Sequence, residues 1–475
     1  MKVIKSPADK WLFFAFLLLF VWLPLPLGSY QSWAASIMEA WVFVLSIIWL
    51  LLFYLQKVRL TRAFRKAKIP LLLFVFFLFW VLFQSVPLPA ALVAFLSPNT
   101  YEVYQTTYTA IGIPYDFIPL SLSRYTTYAE FLETLSYFLI FCLMLLLINT
   151  TRRLRLFAGV IIICGVFQAV YGSLMTLSGL EYSFFFEKEF FRGMATGTYI
   201  SRNHFSGYLE MSLSIGIGLL IAELYTTRSA SWREFFHRII SSILGNKIRL
   251  RITLALMVIA LVMSHSRMGN TAFFTSLSVM GIVYLLIVKK PPRSIIFLFV
   301  SLIVIDVFIV GAWFGIDKVV QRLEKTSASS ESRDEVVRDT LSMIRDYPLV
   351  GTGGGTYEIS FLRYKGRDIR IYYHHAHNDY LEFLAEYGVV GMSFLVLLVT
   401  SCLVSALYAL RKRNHTLLKG MAFASSMGII AILIHSTVDF NLQIPANAAL
   451  FVALLAIGQI CLYLKRNSPA GKSIN

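Results

Sequence analysis

Three arginines stand where charge is costly: Arg202 in TYISRNHFSGY, Arg267 in MSHSRMGN and Arg333 in SESRDEVV, each at the mouth of an apolar run. Ionisable groups at such depths are rare and mark substrate paths, although a single arginine there is equally well explained as a snorkelling side chain. Planar guanidinium forks hold phosphate oxygens in pairs, so a set of three on one side suits a diphosphate. His377 has the character of a general base, because an imidazole near neutrality takes the proton of a hydroxyl nucleophile. Its neighbours His374 and His375 open a metal alternative, H-H-x-H with Asp379, but that spacing fits no familiar ligand pattern. His204, His265, Glu210, His435 and Asp439 also fall near the outer ends of apolar runs, where they read as supporting or structural groups.

The elements that must position these residues are membrane spans. Of 475 residues, 57% are hydrophobic and 15% charged, and the mean hydropathy is +0.69, beyond what a soluble fold can bury. Apolar runs near 11–29, 36–55, 70–88, 132–149, 156–178, 204–223, 252–264, 270–288, 293–315, 388–410, 418–436 and 446–464 give about twelve spans in a single polytopic domain, 1–475. The N-terminal run lacks a small-x-small cleavage site and reads as an uncleaved first helix. The formal net charge of +17 gathers in short blocks at Lys2 to Lys10, Lys57 to Lys68, Arg152 to Arg155, Arg228 to Arg251, Lys289 to Arg293, Arg411 to Arg413 and Lys465 to Lys472. The blocks follow every second span, so the charge reads as topology with both termini cytoplasmic, and not as a nucleic-acid surface. Cys142, Cys164, Cys402 and Cys461 lie inside apolar runs without paired spacing, which indicates neither a disulfide framework nor a thiolate metal site.

By that count residues 316–387, between spans 9 and 10, form an extracytoplasmic segment too long for a mere connection. Two helices are expected in it. The first starts at Ser332, which forms an S-x-x-E capping box with Glu335, and ends before Pro348. Its wheel puts Val336, Val337, Thr340, Leu341 and Ile344 on one face with Arg333 at the centre, and leaves Arg338 and Arg345 to solvent or headgroups. GTGGGTY, from Gly351 to Tyr357, has no GK[ST] ending and reads as a tight loop, not a phosphate cradle. The second helix is expected to begin around His377, with Tyr380, Leu381 and Leu384 inward and Asp379, Glu382 and Glu386 outward. Gly388 and Gly391 then open the next span, where small residues let helices approach closely.

The stretch HNDYLEFLAEYGVVG, from His377 to Gly391, resembles the H-[NSQ]-x9-G-x-x-G motif of the bacterial O-antigen ligase and polymerase superfamily. Arg333 followed at the fourth position by Val337 is similar to its R-x3-L motif, with Val in place of Leu. SRNHFSGYL, SHSR, DYPLVGTGGGTY and DFNLQIPANA add to the likeness, which covers about residues 195–450. The resemblance implies an all-α, GT-C-like membrane glycosyltransferase of the inner membrane, needing no cofactor or metal and inverting the anomeric carbon. It would move a glycan from an undecaprenyl-diphosphate carrier to a hydroxyl at the periplasmic face. His377 would be the base, Arg267 and Arg333 would hold the diphosphate with Arg202 assisting, and Asn378, His204, Asp439, Gly388 and Gly391 would support them. The acceptor would be lipid A-core in a ligase, or another lipid-linked repeat unit in a polymerase. A flippase of lipid-linked sugars is the alternative from another class, and it would place charges near the bilayer midplane.

Overall fold

The computed structural model describes residues 7–224, 246–288, 291–293, 295–297, 299–301, 328–366, 369 and 372–464. The helices are α1 Pro7–Trp22, α2 Ser32–Tyr54, α3 Arg62–Lys66, α4 Lys68–Ser85, α5 Ala90–Leu96, α6 Pro98–Ile111, α7 Arg124–Leu147 and α8 Thr151–Ser178. There follow α9 Arg202–Leu224, α10 Asn246–Met263, α11 Arg267–Ile287, α12 Ala328–Asp346, α13 Tyr357–Phe361, α14 Asp379–Lys412, α15 Thr416–His435 and α16 Pro445–Tyr463. Strands are confined, among the described residues, to two short antiparallel pairs, Leu88–Pro89 with Phe117–Ile118 and Tyr182–Ser183 with Phe186–Glu187. Nine of these helices are long and apolar enough to cross a membrane. The chain is an all-α integral membrane protein. Eleven of the twelve expected spans coincide with a described helix, and the ninth, 293–315, lies mostly outside the described residues.

Helices α9, α15 and α16 form the centre of the bundle. Every residue of the apolar window of α9 is buried, against 22% for α2, whose outer surface of Ile47, Leu50 and Leu51 is exposed as lipid contact requires. α9 and α15 cross so closely that a Cβ on Gly218 would overlap the carbonyl of Gly420, the small-residue contact that lets membrane helices associate. Among the described residues, the basic blocks at Arg153 and Arg413 lie at one end. Arg153 pairs with Asp9 at 2.7 Å, joining the starts of α8 and α1, and Arg413 after α14 donates to the carbonyls of Leu462 and Leu464 at the end of α16. The starts of α9, α11 and α14 therefore lie at the opposite end.

At that opposite end, α12, α13 and the first turns of α14 share a small core of Val336, Met343, Tyr347, Tyr357, Phe361 and Ala385. α12 runs from Ala328, so Ser332 lies inside the helix and is not its cap. Its buried face is Val336, Asp339, Thr340 and Met343, whereas Leu341 is exposed. The predicted start of the next helix is also corrected. α14 begins at Asp379, and His377 precedes it with φ of 51°, in the left-handed region. The expected faces are inverted, because Asp379, Glu382 and Glu386 are the buried residues and Tyr380, Leu381 and Leu384 are only half-buried. One helix runs from Asp379 through the predicted span to Lys412, with a break at Gly388.

The GTGGGTY loop is built into that break. In a regular helix the Val389 and Val390 amides would bond the Ala385 and Glu386 carbonyls. Here those amides donate to the Pro348 and Leu349 carbonyls at 2.9 and 3.3 Å, while Ala385 and Glu386 accept from the Thr352 and Gly353 amides at 2.9 Å each. Gln84 of α4 ties the exchange to the bundle, donating to the carbonyls of Val350 and Glu386 at 2.7 and 2.9 Å. Gly388 has φ of 62°, and a Cβ there would overlap the Leu349 carbonyl. Gly391 leaves room for the Trp80 indole, which donates to the Tyr387 carbonyl at 2.9 Å. Gly388→Ala should therefore destabilise the fold by about 1–3 kcal/mol, as for other side chains forced into a sparsely populated backbone conformation. Thermal unfolding in detergent measures this, and an unchanged midpoint would contradict the exchange.

Candidate functional site

The start of α14 is held by the turn that follows α15. Asn378 caps the helix, its side chain accepting from the Tyr380 and Leu381 amides at 3.0 and 3.1 Å and donating to the Thr437 carbonyl at 2.8 Å. Asp379 is 1% exposed. Its carboxyl accepts from the Ser436 hydroxyl at 2.6 Å and the Leu442 amide at 3.2 Å, and its amide reaches the Ser436 and Asp439 carbonyls. With the two residues after it clamped in this way, His377 is fixed over the same turn.

There four titratable side chains converge. Asp439 presents Oδ1 to His204 Nε2 at 3.7 Å and to His377 Nδ1 at 3.8 Å, and Oδ2 to His435 Nε2 at 3.9 Å. Phe440 packs among the imidazoles, with His375 stacked on it at 4.3 Å and His204 and His377 edge-on at 4.5 and 4.8 Å. Burial pushes the Asp439 carboxyl up, but the His204 and His377 rings more than offset that and hold it well below the usual carboxylate range. Asp439 is thus an anion facing His377 Nδ1. The Nε2 of His377 is turned away from it, and the His377 side chain keeps 26% of its exposure. An imidazole that faces a carboxylate at one nitrogen and keeps part of its side chain exposed has the character of a general base.

The H-H-x-H run does not converge. His374 Nδ1 lies 3.0 Å from Glu358, His375 Nδ1 2.7 Å from Glu382, and His377 faces Asp439, so the three rings serve three carboxylates. Glu382 also accepts from the Ala376 amide at 2.8 Å, which explains why it turns inward. Burial disfavours the charged form of His375, but the Glu382 carboxylate beside it raises the pKa overall.

Of the arginines, Arg202 opens α9 and Arg267 opens α11. Ser266, which caps α11, donates to Asn203 at 2.9 Å, so the two arginine-bearing helix starts are neighbours. Arg202 lies over the Phe191 ring at 5.5 Å, and Arg267 is exposed. His204, two residues after Arg202, links this pair of helix starts to Asp439 and His377. Arg333 falls within α12, and its side chain lies outside the described residues. Phe440 carried no signal in the sequence, and the convergence of His435 with His377 needs the turn after α15 to be seen.

Fold and site together define a multi-pass membrane protein with a histidine–carboxylate centre at the end of the bundle opposite its basic connections. Residues 252–396 match the family described as O-Antigen ligase. No match was found among curated proteins.

The His375–Glu382 pair has a pH signature. A histidine whose folded pKa is raised contributes stability that is complete below its ordinary value of 6.5 and lost as pH rises through the raised value. The difference in thermal midpoint between wild type and His375→Gln should be largest at acid pH and shrink in alkaline buffer. A difference that grows with pH would contradict the pairing.

Proposed function

We propose that this protein transfers a glycan from an undecaprenyl-diphosphate carrier to an acceptor hydroxyl at the periplasmic face of the inner membrane, most closely as an O-antigen ligase acting on lipid A-core. The observation that carries this reading is the His377–Asp439 pair, lying at the head of the family motif and at the end of the bundle where α9 and α11 begin with arginines. The basic connections at the other end support a cytoplasmic location for both termini and an outward-facing segment at 316–387.

His377 Nε2 takes the acceptor proton while the hydroxyl oxygen attacks the anomeric carbon from the face opposite the diphosphate. The C–O bond to the carrier breaks, and the lipid diphosphate leaves with the electron pair. A diphosphate is already a good leaving group, so charge stabilisation by Arg267 and Arg333, with Arg202 assisting, serves better than protonation. Inversion follows from a single displacement. Asp439 holds the His377 tautomer and stabilises the imidazolium that forms.

His377→Ala should lower transfer by purified protein by about 10²–10⁴-fold, the usual contribution of general-base catalysis, while the protein inserts and binds donor normally. Adding EDTA to wild type should change nothing. Full activity in His377→Ala would remove the base, and loss in EDTA restored by a divalent ion would require a metal mechanism.

A further inference from the structure

Behind Asp439 lies a second buried pair that the base mechanism does not use. His435 closes α15 and Glu210 sits inside α9; both side chains are fully buried, and His435 Nδ1 lies 2.8 Å from Glu210 Oε1. The other nitrogen of the same ring, Nε2, faces Asp439 Oδ2 at 3.9 Å. Between two ionised carboxylates, the ring can face both favourably only by carrying a proton on each nitrogen. A neutral ring would turn a lone pair toward one of the two anions. Ionisable pairs inside a bundle core are costly, and the pair stands where α9 and α15, the central helices, already pack through apolar and small residues.

We propose that Glu210 and His435 are positioning residues which, in the order Glu210, His435, Asp439, His377, place a fixed positive charge behind Asp439 and thereby set how strongly His377 holds the acceptor proton. The inference rests on the transfer reading above and deepens it. Asp439 divides its attraction between His377 in front and the His435 cation behind. With the cation present, the His377 imidazolium is held less tightly and returns its proton to solvent after each turnover. The other charged and titratable groups facing Asp439 are His204 from α9, Asp379 at the start of α14, and His375 before it. Glu382 acts on the last two. None of these groups lies between His435 and Asp439.

The test compares Glu210→Gln, which keeps shape and a hydrogen bond, with the double variant Glu210→Gln and His435→Gln, which leaves no buried charge unpaired at that position and so tolerates the apolar setting. Each is purified, checked for folding by gel filtration and thermal midpoint, and assayed across pH with a polyprenyl-diphosphate-linked glycan and a hydroxyl acceptor. Losing the cation leaves Asp439 wholly to His377, so the acid limb of kcat should move to higher pH by on the order of one unit, as removal of a nearby charge generally does. Asp439→Asn should move it to lower pH. The His377 imidazole is followed separately by nitrogen-15 NMR, its signal identified by absence in His377→Ala. That titration should shift in the same directions without substrate, so failure of the transfer reading and failure of this inference are distinguishable. An unmoved or downward-moved limb and titration in both variants overturns the proposal. So does a loss of activity that merely follows the loss of folded protein.

Discussion

The buried carboxyl of Asp379 is the constraint on which the end of the bundle that carries the histidine–carboxylate centre depends. It is placed in the low-dielectric interior of the bundle, where an unpaired carboxyl would cost several kcal/mol. It is accepted because the turn after α15 supplies a hydroxyl from Ser436 and an amide from Leu442. That pairing fixes the first residue of α14 against the residues that follow α15. His377 and Asp439 are then brought face to face although two whole helices, α14 and α15, lie between them in the sequence. The Asn378 cap adds a second bond across the same junction, to the Thr437 carbonyl.

The break at Gly388 solves the complementary problem lower in the same helix. A helix entering the membrane while kinked exposes carbonyls and amides that lipid cannot satisfy. The stretch from Pro348 to Gly353 satisfies four of them with its own backbone, and Gln84 of α4 adds a bond to the Glu386 carbonyl and one to Val350. The loop is therefore a structural counterpart of α14 and has its amides committed to the protein, which is why it offers no cradle for phosphate. Together the Asp379 clamp and the Gly388 exchange fix the first turns of α14 at both ends, and with them the small core shared with α12 and α13.

The apolar runs were legible in the sequence because lipid imposes a length and a composition that need no tertiary knowledge; eleven of them coincide with described helices, and nine described helices are long and apolar enough to cross a membrane. His377, Asp439 and His204 were legible as chemistry-bearing residues near one end, since their types and positions alone set them apart. The inner face of α14 was not. A helical wheel assigns carboxylates outward, yet Asp379, Glu382 and Glu386 each have a partner outside their own helix: Ser436, the His375 ring with the Ala376 amide, and the Tyr357 amide. Buried polar groups follow their partners and not the spacing of apolar residues along the helix, and those partners are invisible until the turns are placed. The left-handed φ at His377 was hidden for the same reason, since it arises from the clamp on its neighbours.

In the proposed reaction the histidine–carboxylate centre promotes cleavage of the bond between glycan and carrier. Purified wild-type protein in liposomes, supplied with a polyprenyl-diphosphate-linked glycan and a hydroxyl-bearing acceptor, should yield glycosylated acceptor and free polyprenyl diphosphate in equal amounts by mass spectrometry. Donor recovered chemically intact, and merely moved from one leaflet to the other, would contradict the claim and identify a flippase instead.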